Sequence, residues 1–259
     1  MKVSVLASSS AANCTYVSSG DTSILIDVGL SCKQTCTRLE SLGVDPQSIE
    51  AVCVTHEHSD HIAGLPVFTK KTGAMLYANS GTMEAVRHKP KYEGLSWQIF
   101  QSGSRFKVGD LTIEPFLVPH DAYEPVGFVV DDGQVRVGVV TDMGMSTPVI
   151  RDRLASCQVA VVESNYDEDM LKNSERPWQL KQRIMGRQGH LSNNGAGDLV
   201  TSISNPDLKR VYLAHLSGDC NRPELAMRST MDALHRCDID GLEVELTYPD
   251  RETAILELS

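Results

Sequence analysis

Apolar and β-branched residues gather along this chain in short runs, and several of those runs stop on a residue that can carry charge or bind a metal. Lys2 to Ala7 alternates polar and apolar positions as a strand does, and strands are expected over 2–7, 13–18 and 22–27. A helix follows over 32–42, stopped by Gly43 and the turn Asp45-Pro46, and then a strand over 51–55. Further on, the pattern predicts helices over 62–71 and 80–88 with a strand over 74–78 between them. Five strands come next, over 96–100, 104–108, 111–118, 125–130 and 134–140, with Val108-Gly109-Asp110-Leu111 as a tight hairpin. The second half repeats the rhythm: helix 146–155, strand 158–163, helical segments within 168–187, helix 193–204, strand 210–215, helix 222–236, and strands 242–248 and 252–258. No low-complexity tract, linker or short-period repeat interrupts it. The expected architecture is therefore α/β, one domain over 1–259, with two sheets face to face and helices outside.

The chemistry sits at strand ends. Ala51-Val52-Cys53-Val54-Thr55 runs directly into His56-Glu57-His58-Ser59-Asp60-His61. On extended backbone His56 and His58 point the same way, while Asp60 and His61, after a turn, can face a second point, so one loop can hold two metals. Imidazole nitrogen suits zinc and its neighbours, carboxylate oxygen suits harder ions, and a mixed set fits a catalytic site. A surface loop that merely happens to be His-rich is the bland alternative, but five ionisable side chains are a poor way to finish a buried strand. Asp27 closes Ile24-Leu25-Ile26, His120 follows Val118-Pro119, Asp142 follows Val137 to Thr141, and His215 follows Val211 to Ala214. His88 and His235 fall in last turns of helices and read as solvated.

Charge and cysteine usage narrow the class. Over 259 residues the formal net charge is −10, so no global basic field draws the chain to nucleic acid or anionic membrane, and any phosphate contact must be local. One local strip exists: Lys172, Arg176, Lys181, Arg183 and Arg187 stand against the single acid Glu175. It is either a solvated helix face or a phosphate contact, and Trp178 within it either stacks on a base or anchors the segment. The seven cysteines are odd in number and scattered, without zinc-knuckle or redox spacing, and read as reduced thiols, with Cys32 and Cys36 sharing a helix face for packing. The first apolar run is too short for a signal peptide, and no stretch approaches the ~20 apolar residues of a membrane span. A soluble, cytoplasmic protein with no membrane partner is expected.

The spacing His56-x-His58-x-Asp60-His61, with the acids and histidines at later strand ends, resembles the metallo-β-lactamase superfamily of binuclear metallohydrolases. That resemblance implies a four-layer αββα sandwich and two divalent ions, zinc or manganese. One ion would take His56, His58 and His120, the other Asp60, His61 and His215, with Asp142 bridging and Asp27 bracing the histidine loop without touching metal. Water shared between two such ions loses a proton near neutral pH and becomes the nucleophile. Gln188-Gly189-His190-Leu191-Ser192-Asn193-Asn194 resembles the His-Ser-Thr element of ribonuclease Z, whose metal-free histidine serves the scissile phosphate. Val161-Val162-Glu163-Ser164-Asn165-Tyr166-Asp167 resembles the His-Glu-Ala-Thr element that orients that histidine, although Val162 replaces its first residue. Across its whole length the chain is similar to the WalJ (YycJ) group of compact nucleases, through Leu6 to Cys14, Pro119-His120-Asp121, Glu163 to Asp167, Gly189 to Asn194 and Leu213 to Ser217. The group usually begins its first loop Gly-Ser-Ser-Gly-Asn, and here Ser9 and Ala12 stand at the glycines. The implied activity is 5′ to 3′ exonuclease action on DNA, favoured over RNA, with Asp60, His190 and Glu163 catalytic, Lys181, Arg183 and Arg187 on phosphates, and a role in DNA repair. The alternatives are a ribonuclease Z-like RNA endonuclease or small phosphodiester hydrolase, then a thioesterase of the glyoxalase II type, and last a metal-binding module without turnover.

Overall fold

The structure, a computed structural model, describes residues 1–259. It opens with β1 (Lys2–Ala7), β2 (Cys14–Ser19) and β3 (Thr22–Ile26), followed by α1 (Cys32–Ser41), β4 (Ile49–Cys53), the single turn α2 (Ser59–Ile62), α3 (Leu65–Thr72), β5 (Met75–Asn79), α4 (Ser80–Val86) and β6 (Trp97–Phe100). Then come β7 (Phe106–Val108), β8 (Leu111–Leu117), β9 (Val126–Asp131), β10 (Arg136–Val140), α5 (Pro148–Leu154), β11 (Val159–Glu163), α6 (Glu168–Asn173), α7 (Trp178–Met185), α8 (Asn193–Ile203), β12 (Arg210–Ala214), α9 (Pro223–Arg236), β13 (Glu243–Leu246) and β14 (Leu256–Glu257). Two seven-stranded sheets result, ordered β14-β1-β2-β3-β4-β5-β6 and β13-β12-β11-β10-β9-β8-β7. Antiparallel pairs join β1 to β3 and β7 to β10, and helical crossovers join the parallel runs β3 to β6 and β10 to β13.

Period-2 side-chain alternation decides the layering. Ile24 and Ile26 of β3 and Val159 and Val161 of β11 enter one core between the sheets, with Phe128 and Tyr212. Their neighbours face outward into two further cores: Leu25 with Leu39 and Phe68 under α1 and α3, and Val162 with Leu199 and Leu234 under α8 and α9. A strand buried on both faces has no polar face to show, which is why these runs read as almost continuously apolar. The arrangement is the αββα sandwich of the metallo-β-lactamase fold. Six of the seven cysteines are buried, and none is paired. No helix is long and apolar enough to cross a membrane.

Three elements differ from the expected pattern. The helix expected over 62–71 is broken, because Gly64 packs against the Leu30 carbonyl, where an added Cβ would lie 2.0 Å from the oxygen. The 168–187 region is two helices separated at Ser174 to Pro177, where Pro177 caps α7. The last expected strand shrinks to two paired residues against β1.

The parallel strands place the site. β4 leads into the histidine loop, β8 toward His120, β10 toward Asp142, β11 ends on Glu163, and β12 ends next to His215. All are carboxyl ends of strands, where open α/β sheets form their binding crevices.

Candidate metal centre

The centre is built from the inside out. Asp27 is buried just beyond β3; its Oδ1 accepts the Thr55 N–H at 2.8 Å and its Oδ2 accepts the Thr55 hydroxyl at 2.8 Å. Its Oδ2 also lies 2.7 Å from His61 Nδ1. Asp27 therefore fixes the start of the histidine loop and one ring within it, and reaches no other donor group of the centre. Asp27, Asp142 and His215 all adopt positive φ, at 61°, 56° and 57°. Non-glycine residues rarely do so, at a cost of roughly 1–3 kcal/mol each, and such strain persists where surrounding contacts over-determine it.

The imidazoles sort by their outer nitrogens. Nδ1 of His61 faces Asp27, Nδ1 of His120 donates to the Gly189 carbonyl at 3.1 Å, Nδ1 of His215 lies 2.8 Å from Glu163 Oε1, and Nδ1 of His56 lies 3.0 Å from the Thr55 hydroxyl. Each commits its Nδ1 proton outward and leaves Nε2 as a lone pair toward the centre, the habit of metal-binding histidine. His58 is turned the other way, with Nδ1 3.2 Å from His120 Nε2.

These inward atoms form two groups, His56, His58 and His120 in one and Asp60, His61, Asp142 and His215 in the other, each with ligand atoms within 4.8 Å of one another. Asp142 lies between them, Oδ2 3.0 Å from His61 Nε2 and Oδ1 3.7 Å from His120 Nε2. Asp60 Oδ2 is 3.3 Å from both His61 Nε2 and His215 Nε2. Lone pairs converge this closely only around a shared positive charge. His56 Nε2 is, moreover, buried with no hydrogen-bond partner, a costly state for a polar atom unless a cation completes it. The donor set thus fits divalent ions, and the mixture of imidazole and carboxylate suits zinc or a harder neighbour.

The carboxylates and burial between them set the protonation of the rings. Burial lowers His56 well below the ordinary imidazole range and lowers His58 as well. Burial pulls His61 and His215 the same way but is outweighed: Asp142, Asp27 and Asp60 raise His61 well above that range, and Asp142 with hydrogen bonds donated to Asp60 and Glu163 carries His215 up to about 10. Against burial, the same rings hold Asp60 and Asp142 below the usual carboxylate range.

Glu163 is fully buried and grips both sides of the centre. Its Oε1 lies 2.8 Å from Nδ1 of His190 and 2.8 Å from Nδ1 of His215, while its Oε2 accepts the N–H groups of Met143 (2.9 Å) and Leu191 (3.0 Å). It stands behind His190 and equally behind the ligand-group residue His215. His190 Nδ1 lies 3.7 Å from Asp142 Oδ1, and its side chain is 22 % exposed at the edge of the centre. Burial would lower His190, but the Glu163 carboxylate outweighs it and raises the ring above the ordinary range.

Residues 22–216 match the family described as Beta-lactamase superfamily domain. The chain belongs to the beta-lactamase superfamily. Within it, the chain is 34% identical over 266 residues to exodeoxyribonuclease WalJ of Streptococcus pneumoniae serotype 2 (strain D39 / NCTC 7466), covering 99% of this chain and 98% of that one. Exodeoxyribonuclease YycJ of Bacillus anthracis is 34% identical, with 97% of each chain covered. Among solved structures, the metallo-β-lactamase fold protein YhfI of Bacillus subtilis superposes with a TM-score of 0.76 at 17% identity over 99% of both chains, a likeness of fold alone.

Around this superfamily centre the structure redistributes the basic strip. Lys181 is buried, its ammonium donating to the carbonyls of Lys172 (2.7 Å) and Ser174 (2.6 Å), so it caps the carboxyl end of α6 instead of facing phosphate. The expectation that it contacts nucleic acid is corrected accordingly. Arg183 and Arg187 are exposed, and Arg183 is held by Asp121. Arg176, a member of the strip but not one of the three expected phosphate contacts, lines the cavity beside His190 along with Arg183. Asn13 was also missed as an individual: its amide reaches Asp60 Oδ2 at 3.2 Å and His61 Nε2 at 3.1 Å. Only its place at the end of the small-residue loop hinted at this. No residue of that loop has positive φ, so Ser9 and Ala12 fit where the related group carries glycine.

Proposed function

We propose that this chain is a two-metal nuclease that degrades DNA from the 5′ end. The observation that carries the reading is His190: an imidazole outside the two ligand groups, oriented by a buried carboxylate and adjoining a cavity that contains two arginines. A thioesterase or a metal store has no use for it. The full-length relatives that bear the name exodeoxyribonuclease support the choice of DNA over RNA.

His56, His58 and His120 would hold one ion and Asp60, His61 and His215 the other, with Asp142 common to both. When bound, such ions supply positive charge to the phosphoryl oxygens and bring the pKa of water toward neutral. Glu163 engages His190 Nδ1 and leaves Nε2 as the free position, from which a proton can pass to the departing oxygen. Such assistance contributes typically ~10²–10⁴ in rate. A second reading rests on one measurement: Asp142, Glu163, His190 and His215 also form a group within 4.8 Å, so His190 could itself ligate an ion.

The test is incubation of the purified chain, with manganese or zinc, on end-labelled single- and double-stranded DNA and RNA, alongside His190→Ala. Mononucleotide release from DNA 5′ ends, lost in the variant without loss of metal, supports the proposal. Metal loss in the variant supports ligation instead, and inactivity on every nucleic acid sinks both readings.

A further inference from the structure

Outside the metal centre, one cluster of reactive side chains has no part in the chemistry described so far. Cys32 and Cys36 stand one turn apart on α1 with their sulfurs 3.9 Å from each other, and the Lys71 ammonium of α3 lies 3.4 Å from the Cys36 sulfur. No other two of the seven thiols are in contact. Both sulfurs lie just under the surface, at residues 8 % and 4 % exposed, and Lys71, itself exposed, covers them with a flexible stem that a small oxidant can pass. A cation beside a thiol favours its thiolate, and a second thiol next to that one can capture its oxidation product. The charges give the order of events. The hydrogen bond to Cys36 raises the Lys71 ammonium, while burial and then the charge on Cys36 raise the Cys32 thiol, so Cys36 ionises first and Cys32 is the one that waits. Cys14 and Cys53 contrast with this pair, because burial and then the Asp27 carboxylate push their thiols up.

A bond between these sulfurs would be felt at the metal centre. β-Carbons four residues apart on a helix are about 5–6 Å from each other, whereas a disulfide brings them to about 3.5–4.5 Å. Closing the bond therefore draws Cys32, the first residue of α1, out of helical position and disturbs the Ser31 cap, whose hydroxyl accepts the Gln34 N–H at 3.3 Å and whose carbonyl accepts the Thr35 N–H at 2.9 Å. Residues 28–30, just before that cap, back the histidine loop. The Val28 N–H donates to the His61 carbonyl at 2.8 Å, and the Gly29 N–H donates to the Asn13 carbonyl at 2.9 Å. Gly29 lies so close to the loop that an added Cβ would sit 1.6 Å from the Asp60 carbonyl oxygen, so the segment has no slack in which to absorb a shift. We propose that Cys32 and Cys36 are a site of reversible oxidation by hydroperoxides, and that the disulfide form loosens the hold of Asp60 and His61 on a metal ion. The Cys36 thiolate attacks a peroxide oxygen: the S–O bond forms, the O–O bond breaks, sulfur is oxidised by two electrons, and the departing hydroxide or alkoxide takes up the proton that Cys36 gave up. The Cys32 thiol then attacks the sulfenic sulfur; the S–S bond forms, the S–O bond breaks, and hydroxide leaves as water with the Cys32 proton. A dithiol reductant restores both thiols. None of this depends on the nuclease reading.

Two measurements test this. The zinc-loaded full chain is exposed to hydrogen peroxide, its remaining thiols are alkylated, and its peptides are mapped by mass. A Cys32–Cys36 disulfide should form at least tenfold faster than any other cysteine is oxidised, and dithiothreitol should remove it. Lys71→Ala should slow its formation about tenfold, and Cys32→Ser should stop at a sulfenic acid on Cys36 that dimedone traps. Oxidation spread evenly over the seven thiols, or a rate indifferent to Lys71, overturns the site. The second measurement is zinc competition with a chelator for the oxidised and the reduced chain. Oxidation should weaken the more loosely held ion at least tenfold, dithiothreitol should restore it, and Cys36→Ser treated in the same way should show no change. Equal affinity in the two forms, or an equal loss in Cys36→Ser, overturns the coupling to the histidine loop.

Discussion

At the scale of single residues, the branching of Glu163 changes what its substitution should do. Because one oxygen serves both His190 and His215, Glu163→Gln should weaken the second ion as well as the proton donor. Loss of a partner behind a ligand typically costs 10–100-fold in metal affinity, so about that fall is expected by metal titration. His190→Ala should instead retain its metal and lose ~10²–10⁴ in kcat on DNA. On a nitrophenyl phosphodiester, whose leaving group needs little protonation, it should lose much less. A matching metal loss in both variants would show His190 to be a ligand. Protons give a further check. In the metal-free chain His215 is raised to about 10, so at pH 7 its ring is charged and an ion must displace that proton. Metal affinity should therefore climb as pH rises toward 10, and proton release should fade above it. Titration calorimetry in buffers of different ionisation enthalpy measures that release directly, and none at pH 7 would contradict the assignment of His215.

At the scale of elements, the strand ends were legible because burial on both faces makes a strand nearly all apolar, so the ionisable residue that finishes it stands out. Asp27, His56, His120, Asp142 and His215 all announce themselves this way. What was illegible depends on partners remote in sequence. The break between α2 and α3 is set by Gly64 meeting Leu30, and Lys181 turns inward because the carbonyl end of α6 needs donors. Neither contact leaves a local pattern. Backbone strain was equally hidden, and one instance has no link to the centre. Asp238 follows α9 at φ 54°, its N–H donating to the His235 carbonyl while the Ile239 N–H reaches Leu234. This is the helix-ending position that glycine fills without penalty, and an acid there also opposes the helix dipole. Asp238→Gly should stabilise the chain by about 0.5–1 kcal/mol, once relief of the left-handed backbone is set against glycine's added unfolded-state entropy. A thermal melt should rise by ~1–4 °C with unchanged activity.

At the scale of the whole molecule, a chain of net charge −10 that acts on DNA, as proposed, must bring a polyanion to its own acidic surface. Long-range attraction cannot do this, so binding has to come from a few cations next to the centre, and those cations have to be held in place. The structure holds them with acids: Asp121 fixes Arg183 and Asp219 fixes Arg176, which leaves Arg187 exposed and Lys181 withdrawn. Three contacts, from Arg176, Arg183 and Arg187, would give a log–log salt slope for duplex DNA of roughly −2.7, at about 0.9 per phosphate neutralised. Replacing Arg183 and Arg187 together by Ala should cut that slope by about 1.8 and leave hydrolysis of a small generic phosphodiester almost untouched. Lys181→Ala should behave in the opposite way. Its ammonium is spent on two partly buried carbonyls, so its loss should cost roughly 1.5–3 kcal/mol of stability and leave the salt slope where it was. Fluorescence anisotropy across a salt series, read beside thermal melts of the same variants, separates the two outcomes. A slope that flattens in Lys181→Ala without loss of stability would return that lysine to the phosphate path, and a slope indifferent to Arg183 and Arg187 would make the strip an ordinary solvated face.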